Sequence, residues 1–184
     1  DEILEEGLKN NNRKADIKTT QKTLATNIYD RDAVVYKMHG DIREPDEAVL
    51  TKDDYEMYGC SRPLFRTALQ GDLISKTFLF IGFSFEDPNL EYVLSQIRVL
   101  LGESIRDHYC FFKKEKQSEN MTSEDYHYKL AKQELRIKDL RRYGIQAILL
   151  DEYSEITEIL KKVEIGYLLK SIFISGSISE LSKE

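Results

Sequence analysis

Thr77-Phe-Leu-Phe-Ile-Gly-Phe-Ser-Phe-Glu-Asp-Pro-Asn-Leu90 decides the reading of this 184-residue chain. The segment opens as a wholly apolar run, breaks at Gly82 and passes through Asp87-Pro88 into an amphipathic stretch. An apolar run of this length between turn signals predicts a strand buried on both faces, the kind found in parallel sheets. Asp87 can cap the following helix, because its carboxylate accepts an amide proton that the first turn leaves unpaired, while Pro88 has no amide to leave unpaired. The segment is therefore strand, glycine-containing loop, helix. Ligands of open parallel sheets collect beyond the carboxyl ends of the strands, so Gly82 to Phe85 would border a nucleotide site. The same residues also suit a tight turn that binds nothing, since the Gly-x-x-x-x-Gly-Lys and Gly-x-Gly-x-x-Gly patterns are both missing.

Working outward, residues 88–101 place Leu90, Val93, Leu94, Ile97, Leu100 and Leu101 at helical spacing. Upstream, Leu64, Phe65, Ala68 and Leu69 share a face of a helix expected over 61–75. Thr51-Lys-Asp-Asp54 has capping-box spacing for a short helix that Gly59 should stop. Residues 33–38 (AVVYKM) predict a strand running straight into His39-Gly40-Asp41, which puts a histidine at a strand's carboxyl end. Residues 9–32 are polar and weakly periodic, and predict a long excursion with at most a short hairpin. Residues 1–8 predict the rear of a surface helix. Downstream come a strand at 108–112, a charged loop at 113–120, a helix at 122–143 closed by Gly144, a strand at 145–150 and a helix at 154–163. This alternation predicts an α/β domain with a Rossmann-like parallel sheet and helices on both faces. Asp1 is no natural start, so the chain reads as an excerpt with at least one opening strand before it.

Charge and composition narrow the function. A formal net charge of -6 without a basic stripe argues against nucleic acid or an anionic membrane surface as the main partner. No apolar run approaches the roughly 20 residues that span a bilayer, and no signal peptide is visible. Cys60 and Cys110 are too few for a disulfide framework or a four-cysteine zinc site. They are expected to be ordinary buried thiols of a cytoplasmic protein. His108 and His127 lack any catalytic context and are expected to be structural or solvated.

Lys37-x-His39-Gly40-Asp41, then Leu50-Thr51-x-x-x-Tyr55, then Gly82-Phe83-Ser84-x-x-Asp87-Pro88 occur in that order. This set resembles the sirtuin-like domains of bacterial anti-phage defence proteins, over roughly residues 1–163. The resemblance implies an NAD glycohydrolase with His39 as general base. It implies NAD as substrate rather than retained cofactor, with Gly82, Phe83 and Ser84 as its contacts, and no metal. Glu86 and Asp87 could read ribose hydroxyls, although capping is the simpler role for Asp87. It also places the family's catalytic asparagine and pyrophosphate-binding glycine loop before Asp1. The two cysteine pairs that hold zinc in protein-deacylating sirtuins have no counterpart here, which weighs against that alternative. A non-catalytic nucleotide sensor or scaffold is a third reading.

The last residues, Leu168 to Ser179, predict a new strand ending in a small-residue loop. They resemble the first strand of the SLOG domain that follows the sirtuin-like domain in Thoeris defence effectors. That implies a domain boundary between 1–165 and 166–184, with Gly176 and Ser177 in a loop that binds a cyclic ADP-ribose signal. The other reading is a last strand of the same domain. A homo-oligomer is implied by the family alone.

Overall fold

The computed structural model describes residues 2–167. They divide into two compact units, one made of residues 2–77 and 84–106, the other of 78–83 and 107–167. Gly176 and Ser177, and the whole of the second-domain expectation, lie outside the described residues.

In the first unit, α1 (Ile3–Asn10) precedes β1 (Ala15–Lys18), α2 (Gln21–Leu24) and β2 (Ala33–Tyr36). The helices α3 (Lys52–Ser61), α4 (Pro63–Ser75) and α5 (Pro88–Leu101) come after β2. β1 and β2 pair in parallel, with Ala15 opposite Ala33 and Lys18 opposite Tyr36. The expectation of a long excursion with at most a short hairpin over 9–32 is therefore corrected, since that stretch supplies β1 and α2. No hairpin forms there, because a parallel partner needs a crossover, and α2 with the residues after it makes that crossover.

Hydropathy missed β1 because its buried positions are Asp16 and Lys18, 3% and 2% exposed. Burying an unpaired charge is prohibitive, so both are tied down. Asp16 sits 2.8 Å from the Lys18 ammonium and 2.6 Å from the Arg31 guanidinium, and accepts the Ile28 amide. Lys18 also donates to the Thr26 carbonyl.

Thr51 caps α3 through the expected capping box with Asp54. Gly59 does not stop the helix, which runs two residues further, because a single interior glycine costs only about 1 kcal/mol. α4 starts at Pro63 rather than Ser61, and it buries Phe65 and Leu73 while Leu64 is exposed, a shifted face. Cys60 is exposed, contrary to expectation, whereas Cys110 is buried. α5 has the expected limits, with Asp87 as cap, Pro88 in the first turn, and Leu90, Val93, Leu94 and Ile97 buried. Leu100, expected on the same face, is exposed in the last turn.

The second unit carries a parallel sheet of order β3 (Leu79–Phe80), β4 (His108–Lys113), β5 (Ile145–Leu150). With it are α6 (Ser123–Arg141) and a helix over residues 155–167, here α7. Cys110, Phe111, Leu140, Ile145 and Leu150 are buried here. His108 is structural: it is buried, and its Nδ1 accepts the Phe78 amide at 3.1 Å. His127 is exposed on α6, with Nδ1 beside the Ser123 carbonyl. The apolar run at 77–81 forms a strand of only two residues, and Leu79 and Ile81 are 40% and 51% exposed. It is not buried on both faces: Leu79 and Ile81, two positions apart, share the exposed face, and within this sheet the strand has β4 as its one partner. Among the described residues every strand pairing is parallel and strands alternate with helices, so the α/β, Rossmann-like class predicted from the sequence is the class found.

Candidate active site

β2 delivers the chain to Lys37-Met38-His39-Gly40-Asp41, a turn held in place by a buried ionic cluster. The Asp41 side chain is fully buried. Its carboxylate accepts from Arg43 Nε at 2.7 Å, Arg43 Nη2 at 2.9 Å and the Arg43 amide at 2.9 Å, and it meets the Lys37 ammonium. Arg43 first and Lys37 second hold the carboxyl far below the ordinary carboxylate range. Lys37 reaches Glu5 of α1 as well. Burial alone would lower the Lys37 pKa, but bonding to Asp41 and Glu5 outweighs it and the net shift is upward.

Gly40 is required by geometry. Its φ is +99°, and a Cβ there would lie 2.7 Å from Ala48 Cα and 3.2 Å from the Glu47 carbonyl oxygen. That close approach lets the Val49 amide donate to the His39 carbonyl at 2.9 Å. Arg62, itself buried, closes the same region by donating to the carbonyls of Thr19 and Glu47.

The result is an imidazole presented from a rigid turn. His39 is 41% exposed, and its Nε2 lies 3.3 Å from Asp87 Oδ2. Tyr55 and Tyr58 meet the ring edge-on, with centroids 5.1 Å and 5.8 Å away. Tyr58 is buried and donates to the Met38 carbonyl at 3.2 Å, and burial pushes its phenol up to about 12. Asp87 does two jobs with two oxygens: Oδ1 accepts the amides of Asn89 (2.8 Å) and Leu90 (3.3 Å), while Oδ2 faces the histidine. The Asn89 side-chain amide donates to the Tyr55 carbonyl at 3.2 Å, joining the start of α5 to α3. Chemically, this is a histidine with one ring nitrogen against a carboxylate and the other without a protein partner among the described residues. Such a group can take or give a proton at a substrate.

The other expected site residues are divided between the two units. Ser84 is exposed and belongs to the first unit, with His39 and Asp87. Gly82 and Phe83 belong to the second. Gly82 has φ +65°, and a Cβ there would meet nothing within 4 Å. Phe83 lies 5.9 Å from the Phe80 ring and is 37% exposed. Phe85 has φ +58°, costly for a bulky residue and a feature that concentrates at functional loops. Sequence reasoning assigned Asp87 mainly to capping and missed Tyr58 and Asn89. The available signal was spacing, since Tyr55 and Tyr58 lie one helical turn apart after a capping box. Among the described residues no group of three or more His, Cys, Asp or Glu could hold a metal ion. No helix among them is long and apolar enough to cross a membrane.

Known proteins share much of this sequence. The chain is 51% identical over 180 residues to the NAD(+) hydrolase ThsA of Bacillus cereus (strain MSX-D12), a match covering 98% of this chain and 38% of that protein. It is 46% identical over 180 residues to the protein of the same name from Acinetobacter baumannii (strain 532279), covering 98% and 37%. A shorter match, 33% identical over 79 residues, joins 41% of this chain to 8% of the defense-associated sirtuin 2 of Bacillus subtilis. The chain thus spans less than two fifths of the length of the NAD(+) hydrolases it matches. Residues 1–143, which contain the His39 turn, its cationic support and the Gly82 loop, match the SIR2-like domain, and this chain belongs to that family.

Proposed function

We propose that this chain is part of an NAD+ hydrolase that depletes NAD in anti-phage defence. The observation that carries the proposal is the half-exposed His39, held at a strand's carboxyl end against Asp87 and two tyrosines, in a SIR2-like chain whose long matches are named NAD(+) hydrolases. In the reaction, the bond between nicotinamide and ribose breaks with its electron pair leaving on nicotinamide. Water adds to the sugar carbon and loses a proton, giving ADP-ribose. The developing sugar cation is favoured by nearby negative charge and by a base that accepts a hydroxyl or water proton. His39 is that base, and Asp87 orients it.

Gly82, Phe83 and Ser84 contact NAD in this reading. The open space beside Gly82 supports the assignment, since a ligand can approach the backbone there. Residues 1–165 are assigned to the NAD-binding domain and 166–184 to the start of a SLOG-type domain, where Gly176 and Ser177 contact an activating cyclic ADP-ribose signal. The working enzyme is a cytoplasmic homo-oligomer.

The test is nicotinamide release by the full-length protein, with and without cyclic ADP-ribose, for the natural chain and for His39→Ala. Loss of a general base should cost roughly 10²–10⁴ in rate while NAD binding and folding persist. Near-normal turnover in His39→Ala would remove the histidine from the chemistry. Turnover that depends on an added acyl-lysine peptide would instead identify a deacylase, and binding of NAD without consumption would identify a sensor.

A further inference from the structure

A second feature lies wholly within the second unit, beyond the carboxyl ends of β4 and β5. A cavity of about 730 Å3 is lined by Lys113, Lys114, Lys116, Lys129, Lys132 and Arg136, with Glu115 and Glu152 as its acidic residues. Six cations against two anions leave a lining of net +4, in a chain whose overall charge is -6. This polarity is not a by-product of composition. The basic residues come from two separate sources, the end of β4 with the segment after it and one stripe of α6, where Lys129, Lys132 and Arg136 recur at helical spacing.

The cations differ in their state. Lys113 is paired with Glu152 at 2.6 Å, Lys114 with Asp151 at 3.0 Å, and Lys116 with Asp151 at 3.3 Å. Those pairs hold the segment after β4 against the segment after β5. Gln133 fixes the other side, donating to the Lys113 carbonyl at 2.8 Å and accepting the Glu115 amide at 3.2 Å. The wall is therefore built before any ligand arrives. Lys129 and Lys132 are exposed, border the cavity, and have no acidic partner among the described residues. Three lysines build the wall and two are left to bind.

We propose that this cavity binds a small polyphosphate-bearing molecule, with Lys129 and Lys132 as its principal anion contacts. Its volume falls within the range of ordinary ligand pockets, roughly 300–1,000 Å3, and suits a nucleotide-sized ligand. Phe112, Met121 and Tyr153 add apolar lining on which a base could rest. Lysine ammonium groups recognise phosphate as point charges, and ligands of open parallel sheets bind beyond the carboxyl ends of the strands.

The experiment is calorimetric titration of the full-length protein with inorganic tripolyphosphate and, separately, with ATP. The natural protein should bind one tripolyphosphate per chain, with affinity that falls as salt rises. The double variant Lys129→Glu, Lys132→Glu should weaken binding by about a hundredfold, at about tenfold per lost charge contact. A control with the same charge change away from the cavity, Lys138→Glu with Lys162→Glu, should bind nearly as the natural protein does. All four positions are exposed, so matching thermal melts would show that folding is intact. Tighter binding of ATP than of tripolyphosphate would identify a nucleotide, and equal binding a free polyphosphate. No saturable binding of either probe, or an equal loss in both double variants, would overturn the proposal.

Discussion

The strands of the two compact units solve the problem of burial in different ways, although α3, α4 and α5 give the first unit an apolar core of its own around Tyr58, Phe65, Leu73 and Val93. In the second, β4 and β5 bury Cys110, Phe111, Ile145 and Leu150, and the hydrophobic effect does most of the stabilising. In the first, β1 buries Asp16 and Lys18, and the turn after β2 buries Asp41 among Lys37, Arg43 and Glu5. An apolar core tolerates small shifts with a graded cost. A buried ion cluster is directional, so it specifies one geometry and fails sharply when a member is lost. The catalytic candidate sits on the directional kind, which holds the turn presenting His39 to a single shape.

The sharpest way to break this contrast is to compare Asp41→Ala with Ile145→Ala. Removing Asp41 leaves Lys37 with Glu5 alone and takes the buried anion from the half-exposed Arg43, and should destabilise by roughly 3 kcal/mol, the lower end for a broken buried pair. Ile145→Ala, at a fully buried position, should cost a similar amount, roughly 2–5 kcal/mol, through lost transfer energy and a cavity. Acid separates them. The folded-state pKa of Asp41 is depressed, so its contribution is complete above the unfolded value of about 4 and is lost as pH falls through and below that point. Denaturant melts from pH 7 to pH 3 should show the Asp41→Ala deficit shrinking while the Ile145→Ala deficit persists. A deficit at Asp41 that ignores pH would mean that packing, not charge, holds the turn.

Two glycines sharpen the comparison at smaller energies. Gly40 and Gly82 both have positive φ, which costs an L-residue roughly 1–2 kcal/mol. Only Gly40 adds a clash with backbone, so Gly40→Ala should lower stability clearly more than Gly82→Ala. In the full-length protein, Gly82→Val should instead weaken NAD binding before it slows chemistry. Equal melting temperatures for the two alanine variants would remove the directional account of the His39 turn.

Asp87→Asn tests the double role of that residue. Asparagine caps helices about as well as aspartate, so stability should change by less than about 0.5 kcal/mol. The charge beside His39 is lost, and turnover should fall by about tenfold, the equivalent of one modest charge-assisted hydrogen bond. Loss of stability with unchanged turnover would assign Asp87 to capping alone. The smallest effect concerns the cysteines. Cys60 should react with iodoacetamide at pH 8 in the native protein, while Cys110, buried and with its thiol pushed up to about 11, should react only on unfolding.

What the sequence determined by itself was whatever local chemistry dictates. Asp87-Pro88 started α5 and Thr51 started α3, because caps act on amides a few residues away. The strand-helix alternation was enough for the fold class, and the ordered motifs were enough for the family. Tertiary structure decided the rest. β1 was invisible because its buried residues are an aspartate and a lysine, whose burial is tolerated only with Arg31 and the Thr26 carbonyl in place. The apolar run at 77–81 was over-read because burial of a face depends on what packs over it, and the face carrying Leu79 and Ile81 is exposed. The meeting of Asp87 with His39, forty-eight positions apart in sequence, is likewise set by packing alone, since spacing along a chain constrains only what the local backbone can reach.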